Sequence, residues 1–166
     1  HAHLDHIGAC RHLLPKFGPL VPIYATDFTI GMIKRQMSEL EDIPDMNYHS
    51  IDPFKHEKIK VSEHLSVEFI HTLHSIPGNC AIVVRTPNGA IYLSGDWRYE
   101  ANPVGIQTDY ERIDEIVKNE GIELMLNEST NIDSPGHHPH SEWDVGDNLG
   151  KVMDNYANGR IIISCF

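Results

Sequence analysis

His1-Ala2-His3-Leu4-Asp5-His6 opens the chain, and this H-x-H-x-D-H run brings three imidazoles and one carboxylate together. Imidazole nitrogens and carboxylate oxygens are common protein ligands of first-row metals. Alternate residues of an extended segment point the same way, so His1 and His3 can bind one ion. Asp5 and His6, after a change of chain direction, can reach a second ion. The run predicts a binuclear metal site rather than a tag remnant or solvated start, because tags repeat His without an interleaved Asp.

Apolar periodicity predicts a mixed α/β chain. From Ile59 to Phe69 apolar and polar residues alternate, which is typical of half-buried antiparallel strands. Asn88-Gly89 favours a tight turn, so Ala81–Arg85 and Ala90–Ser94 should form a hairpin. The sequence also predicts helices that begin after Gly8, at Thr26 or Asp27, near Tyr110 and at Ser141, a connection or edge strand at 47–52, and strands at 21–25, 123–127 and 161–166, the last two buried.

Composition limits the possible classes of function. Forty per cent of the 166 residues are apolar, which indicates a globular protein. The formal net charge of −11 argues against a chain that binds nucleic acid with its whole surface. Bound divalent ions would cancel part of that charge at their own site. No long apolar run and no signal-peptide pattern occurs, so no membrane partner is expected.

The cysteines indicate the cellular compartment, and the chain ends indicate how much of the protein this sequence represents. Cys10, Cys80 and Cys165 form no C-x-x-C pair and lie among apolar neighbours, so they should be reduced core residues of a cytoplasmic protein. The chain starts without Met on its proposed ligands and ends on the apolar segment 161–166. We therefore expect an internal piece of a longer protein.

Two later residues have the character needed to complete a binuclear site. His74 and Asp96 both follow predicted strands, where loops meet a rigid scaffold. His74 could instead be a loop imidazole bonded to backbone, and Asp96 a turn carboxylate that accepts from nearby amides. His71 is expected to be a half-buried strand residue, and the imidazoles of 136–140 are expected to lie in a solvated loop.

Four stretches of the chain resemble, in order, the motifs of metallo-β-lactamase-fold nucleases of the β-CASP group. Within that group they most resemble the ribonuclease J family, and the resemblance extends along essentially the whole chain. The opening run is typical of the whole superfamily. The second and fourth stretches narrow the resemblance to this group of nucleases. The stretches are His1-x-His3-x-Asp5-His6, His74-Ser75-Ile76-Pro77, Ser94-Gly95-Asp96-Trp97 and Glu128-Ser129-Thr130-Asn131.

The resemblance implies a fold and a domain organisation. The expected fold is an α/β, four-layer αββα sandwich with the site at the strand ends, present here in part. Residues 1–133 would form the metallo-β-lactamase domain without its N-terminal strands, and residues 134–166 the truncated start of a β-CASP domain.

The resemblance also implies roles for individual residues. His1, His3, His74 and Asp96 would hold one zinc ion, and Asp5, His6 and a bridging Asp96 the other, with manganese as an alternative metal. A further His ligand would come from a later part of the chain. Asp5 would orient the nucleophile or pass on a proton, and Glu128 would orient that later His. Independently of the resemblance, nearness to Asp96 makes Arg98 the best candidate to bind a substrate phosphate; the alternative, which is the commoner case for such a residue, is an ordinary surface role.

The function implied is that of a ribonuclease that hydrolyses RNA as an endonuclease and from the 5′ end. Two metal ions would hold a hydroxide and stabilise the phosphorane. RNA is the expected partner, and the expected location is the cytoplasm. Homo-oligomers would form through segments outside this chain. One alternative is a hydrolase of small esters, thioesters or lactams, which the Glu128 motif disfavours. Another is an inactive metal-bound scaffold, which the six intact ligand positions disfavour.

Two positions depart from the family pattern. Gly78 stands where ribonuclease J often has an acidic residue, and Trp97-Arg98 replaces the more usual Phe-Lys. These changes bear on substrate preference and not on metal binding.

Overall fold

The computed structural model describes residues 1–136, 140–156 and 159–164. The helices are α1 (Leu4–Ile7), α2 (Cys10–Phe17), α3 (Asp27–Met37), α4 (Tyr110–Asn119) and α5 (Glu142–Asn155), with a 3-10 turn at Gly18–Leu20. The strands are β1 (Pro22–Ala25), β2 (Asn47–Ser50), β3 (Ile59–Lys60), β4 (Ser66–His71), β5 (Cys80–Thr86), β6 (Gly89–Leu93) and β7 (Leu124–Leu126).

A five-stranded sheet has the order β3-β4-β5-β6-β7, in which β3 to β6 pair antiparallel from one strand to the next. The predicted hairpin is β5–β6, in which Thr86 pairs with Gly89. The φ of Gly89 is +127°, which favours glycine there. Strand β7 runs parallel to β6. Strands β4, β6 and β7 therefore end at the same edge, so the residues that follow them meet there.

One core cluster lies between this sheet and α4. It contains the buried strand residues Ile70, Ala81, Val83, Ala90 and Tyr92, and Ile116 of α4. Asp109 caps α4 by accepting a hydrogen bond from the Arg112 amide.

A second core cluster holds the opening run in place. Ala2 and Ile7 pack with Ile33 and Met37 of α3. The apolar neighbours of the metal-ligand candidates are thus anchored in this core cluster. Strands β1 and β2 form a separate two-stranded parallel sheet, so the predicted connection at 47–52 is an edge strand.

The mixed α/β class is confirmed. The chain forms two compact units, of which the first comprises His1–Arg98 and Thr108–Ser129. The second comprises Tyr99–Gln107 and the described residues from Thr130 onward. The proposed domain boundary at 133/134 stays a prediction. No helix within the described ranges is both long enough and apolar enough to cross a membrane.

Several expectations about single elements are wrong. The short helix α1 was not predicted and places Asp5 inside a helix, whereas the helix predicted after Gly8 is confirmed as α2. Strand β7 exists as the last strand of the sheet, but it is not buried, since Leu124, Met125 and Leu126 are each about half exposed. Residues 161–164 are exposed and not a strand, since no described strand pairs with them. An apolar run does not by itself specify burial or pairing. Cys165 and Phe166 lie outside the described residues.

Helix α5 begins as predicted. Ser141 caps it, its hydroxyl accepts from the Asp144 amide, and the Asp144 carboxylate accepts from the Ser141 amide. The apolar residues Val145, Leu149 and Val152 of this helix are each about half exposed.

Candidate metal centre

The local fold of the opening run separates its ligand candidates into two pairs. His3 is extended, with φ −65° and ψ 149°, and it precedes the first turn of α1. His1 and His3 therefore project together from extended chain, while Asp5 and His6 project from the helix that follows. The change of direction expected from the sequence is this entry into α1.

Four of the candidates converge in a first cluster. His1, His3, His74 and Asp96 each offer one ligand atom, and these atoms lie within 4.8 Å of one another. His74 Nε2 is 3.1 Å from His3 Nδ1 and 3.9 Å from Asp96 Oδ2. His1 Nε2 is 3.8 Å from the same Asp96 oxygen. Three imidazole nitrogens and one carboxylate oxygen thus surround one small volume.

Asp5, His6 and Asp96 form a second cluster, whose ligand atoms also lie within 4.8 Å of one another. His6 Nε2 is 3.2 Å from Asp96 Oδ2 and 3.7 Å from Asp5 Oδ2. Asp96 belongs to both clusters. The arrangement therefore has the form of two adjacent ligand sets that share one carboxylate.

A cavity of about 390 Å³ opens beside the clusters and is lined by His1, His6, Asp96 and Glu128 among others. Glu128 reaches it because its amide donates to Ser94 Oγ at 2.9 Å, just after β7. Cys80 also lines the cavity, but burial raises the pKa of its thiol to about 11. The thiol of the metal-free protein is therefore protonated at neutral pH.

The family model described as "Beta-lactamase superfamily domain" matches residues 1–162. The chain belongs to this superfamily. The metallo-β-lactamase fold predicted from the sequence is thereby confirmed.

Curated relatives in the superfamily are similar over most or all of the chain. A protein named Ribonuclease J from Pyrococcus abyssi is 38% identical, over 80% of this chain and 29% of its own length. Proteins of the same name from Thermus thermophilus and Sinorhizobium meliloti are 32% and 37% identical, each over 100% of this chain. The predicted similarity to ribonuclease J is confirmed. The chain spans only 28–29% of the length of these relatives.

A solved structure supports the fold alone. It is a protein of unknown function from Enterococcus faecalis, with a TM-score of 0.58 and 24% sequence identity. The match covers 82% of this chain and 34% of that one.

The superfamily fold implies metal binding, and the residues present fit a metal ion. The His1 side chain is only 2% exposed, and within the described residues its Nε2 has no hydrogen-bond partner. A buried polar atom without a partner is costly, and a metal ion would satisfy it. Burial is the largest cause that lowers the pKa of His74, and the neighbouring His3 is the second. A lowered pKa favours the neutral imidazole, which is the form that binds metal.

Other candidates lie less centrally. Arg98 is exposed and does not line the cavity, although its charge contributes to the lowered pKa of His74. Its amide donates to the Leu73 carbonyl at 3.1 Å, which fixes the backbone beside His74. His71 is half-buried in β4 and its ring lies 4.8 Å from that of Phe54. Of the 136–140 loop, residues 137–139 lie outside the described residues.

Sequence reasoning missed the buried polar residues behind the clusters. Asn79, Thr72, Ser94 and Thr108 are each at most 3% exposed. Thr108 Oγ1 accepts from the Leu73 amide at 2.9 Å, and Asn79 contacts both Thr72 and Asp96. For Thr72, Asn79 and Ser94 the available signal was their position beside the strand ends; Thr108 is distant in sequence from both His74 and Asp96 and gave no such signal.

Proposed function

We propose that the full-length protein is a metal-dependent ribonuclease that hydrolyses RNA phosphodiester bonds. The observation that carries the proposal is the pair of ligand clusters that share Asp96, at the edge where β4 and β6 end. Similarity to proteins named Ribonuclease J over the whole chain supports RNA as the substrate.

The proposed metal is zinc, with manganese as an alternative. His1, His3, His74 and Asp96 would hold one ion, and Asp5, His6 and Asp96 would hold the other. The mixture of imidazole nitrogens and carboxylate oxygens suits both metals. When bound, the ions would lower the pKa of a water molecule and stabilise charge on the phosphate.

Asp5 and Glu128 are the proposed catalytic carboxylates. The Asp5 side chain is 77% exposed and its Oδ2 lies 3.7 Å from His6 Nε2, so it can take up a proton or orient a water at the open side of the centre. Ser94 holds the Glu128 backbone at the cavity wall. There the Glu128 carboxylate would orient a further catalytic imidazole, as the resemblance implies.

Arg98 is the proposed substrate contact. It follows Asp96 by two residues, and its side chain is exposed. A guanidinium there can donate paired hydrogen bonds to a phosphate of the RNA backbone.

The finer properties follow the same resemblance. We propose both endonuclease and 5′-to-3′ exonuclease activity, a cytoplasmic location, and homo-oligomers formed through segments outside these 166 residues. Cys10 and Cys80 are free thiols, which fits a reducing compartment.

The test compares Asp96→Ala with Asp45→Ala, an exposed carboxylate remote in sequence from every proposed ligand. In the full-length protein, elemental analysis and cleavage of 5′-monophosphorylated RNA are measured for both variants. Asp96→Ala should lose metal and at least about a hundredfold of the cleavage rate, because both ligand sets lose a member. The control should retain both. Intact metal content and cleavage in Asp96→Ala would refute the site, and hydrolysis of thioesters or lactams without RNA cleavage would refute the substrate.

A further inference from the structure

Asn79 connects the two strand ends that carry His74 and Asp96. It lies immediately before β5, the strand between β4 and β6, and is 1% exposed. Its Nδ2 donates to Thr72 Oγ1 at 2.8 Å and lies 3.3 Å from the Thr72 carbonyl. The same nitrogen donates to the Asp96 carbonyl at 2.6 Å. One amide thus links the segment two residues before His74 to the backbone of Asp96.

The contacts require an amide nitrogen at this position. The carbonyls of Thr72 and Asp96 can only accept, so the group between them must donate. An ionised carboxylate of the same shape has no hydrogen to donate, so its oxygen would face the two carbonyl oxygens without a hydrogen bond. An apolar side chain would leave both carbonyls without this donor.

The amide oxygen of Asn79 differs from the amide nitrogen in its contacts. Asn79 Oδ1 is buried, and it accepts no hydrogen bond from any described residue. A buried oxygen without a donor opposes folding. Among the described residues, the side-chain contacts that hold Asn79 in place are therefore those of Nδ2.

From these contacts we infer that Asn79 is a positioning residue of the metal centre. It holds the Asp96 backbone against the β4 end and so sets the distance between the shared carboxylate and His74. This inference rests on the proposed metal site. Asn79 contacts neither metal nor substrate in this role, and it acts through the residues that do.

The experiment measures zinc affinity by competition with a chromophoric chelator in the full-length protein, together with thermal unfolding of the metal-free form. Asn79→Leu and Asn79→Asp remove the donor with little change in volume. Both should weaken zinc binding by about 10–100-fold, the usual effect of losing a group that orients a ligand. Ile116→Ala is the control, because it opens a cavity in the core cluster without removing any polar contact of Asn79. It should lower the unfolding temperature without changing zinc affinity.

A second variant covers the case in which Asn79 variants fail to fold. Thr72→Val keeps Asn79 and removes only the hydroxyl that orients its amide, so zinc affinity should fall by less than in Asn79→Leu. Wild-type zinc affinity in the Asn79 variants would overturn the inference. So would a loss no greater than in Ile116→Ala or, where the Asn79 variants do not fold, unchanged affinity in Thr72→Val. Absence of zinc binding by the wild-type protein would refute the proposed centre itself, and the inference with it.

Discussion

Glu68 and Arg112 form a buried ion pair between the sheet and α4. Arg112 Nε donates to Glu68 Oε1 at 2.7 Å, and Arg112 Nη2 donates to Oε2 at 3.1 Å. Glu68 has no exposed surface, and Arg85 Nη2 lies 2.7 Å from the same Oε2. The buried carboxylate is therefore bound by two guanidinium groups. Because Glu68 is in β4, the pair fixes α4 to the strand that leads to His74.

Replacing Glu68 should destabilise the fold strongly. Glu68→Gln removes a fully buried charge that two partly buried guanidinium groups share, and breaking a buried pair on one side costs about 3–5 kcal/mol. Urea unfolding of the full-length protein measures the free energy. Glu115→Gln is the matched control, since Glu115 binds Arg112 Nη1 at 2.8 Å but is 59% exposed. It should cost at most about 1 kcal/mol. Equal losses in both variants would contradict the buried pair's role.

Stability should fall in acid through the same network. The hydrogen bond from Arg85 outweighs burial and, with Lys58, lowers the pKa of Glu120 to about 2. Burial alone would raise the pKa of Glu68, but the bonds from Arg112 and Arg85 lower it overall. A lowered folded-state pKa gives stability that is complete above the ordinary value of 4.5 and is lost as the pH falls towards the folded value.

The measurement is the unfolding temperature of wild-type protein and Glu120→Gln as a function of pH. The difference between the two proteins should be constant above pH about 4.5 and should shrink between about 4.5 and about 2. Taking the difference cancels the titration of the metal-site residues, which both proteins share. A difference that does not change over this range would contradict the lowered pKa of Glu120.

The edge at which His74 and Asp96 meet could be predicted because its signals are local. The turn at Asn88-Gly89 specifies the β5–β6 hairpin, and alternation marks β4, so both residues could be assigned to strand ends. Neighbouring antiparallel strands then bring alternate ends to one edge. Their metal-binding roles stay predictions.

The buried polar contacts could not be predicted because they depend on residues distant in sequence. Glu68 lies between Val67 and Phe69, where alternation predicts a solvated side chain. Its burial depends on Arg112, which is 44 residues away. The exposure of β7 was missed for a similar reason, since an apolar run does not reveal whether its strand lies at the sheet edge.

Gly78, the first departure from the family pattern, should not tolerate a side chain. Its φ is +73°, and a Cβ there would lie 2.4 Å from Thr26 Oγ1. Left-handed backbone costs a non-glycine residue about 1–3 kcal/mol before any clash. Gly78→Asp should therefore lower the free energy of unfolding by at least that amount, as measured in urea.

A helical glycine provides the control for Gly78. Gly31 lies in α3, and a Cβ there would meet nothing within 4 Å. Gly31→Ala should stabilise by about 0.5–1 kcal/mol. Thr26→Ala combined with Gly78→Asp should recover part of the loss, because it removes the nearest clashing atom. A Gly78→Asp protein as stable as wild type would show that this loop adapts to an acidic residue.

Trp97, the second departure, should stabilise the contact between the Asp96 and Glu128 loops. Its Nε1 donates to Asn127 Oδ1 at 3.0 Å, and its ring meets Tyr110 edge-on at 6.5 Å. Phenylalanine would keep the ring contact but lacks the donor, so Trp97→Phe should cost about 0.5–1 kcal/mol. A double-mutant cycle with Asn127→Ala measures this coupling by urea unfolding. Trp143→Phe, at a 54% exposed position, should change stability by less than about 0.5 kcal/mol. A coupling energy near zero would mean that the Trp97–Asn127 bond does not hold these loops together in solution.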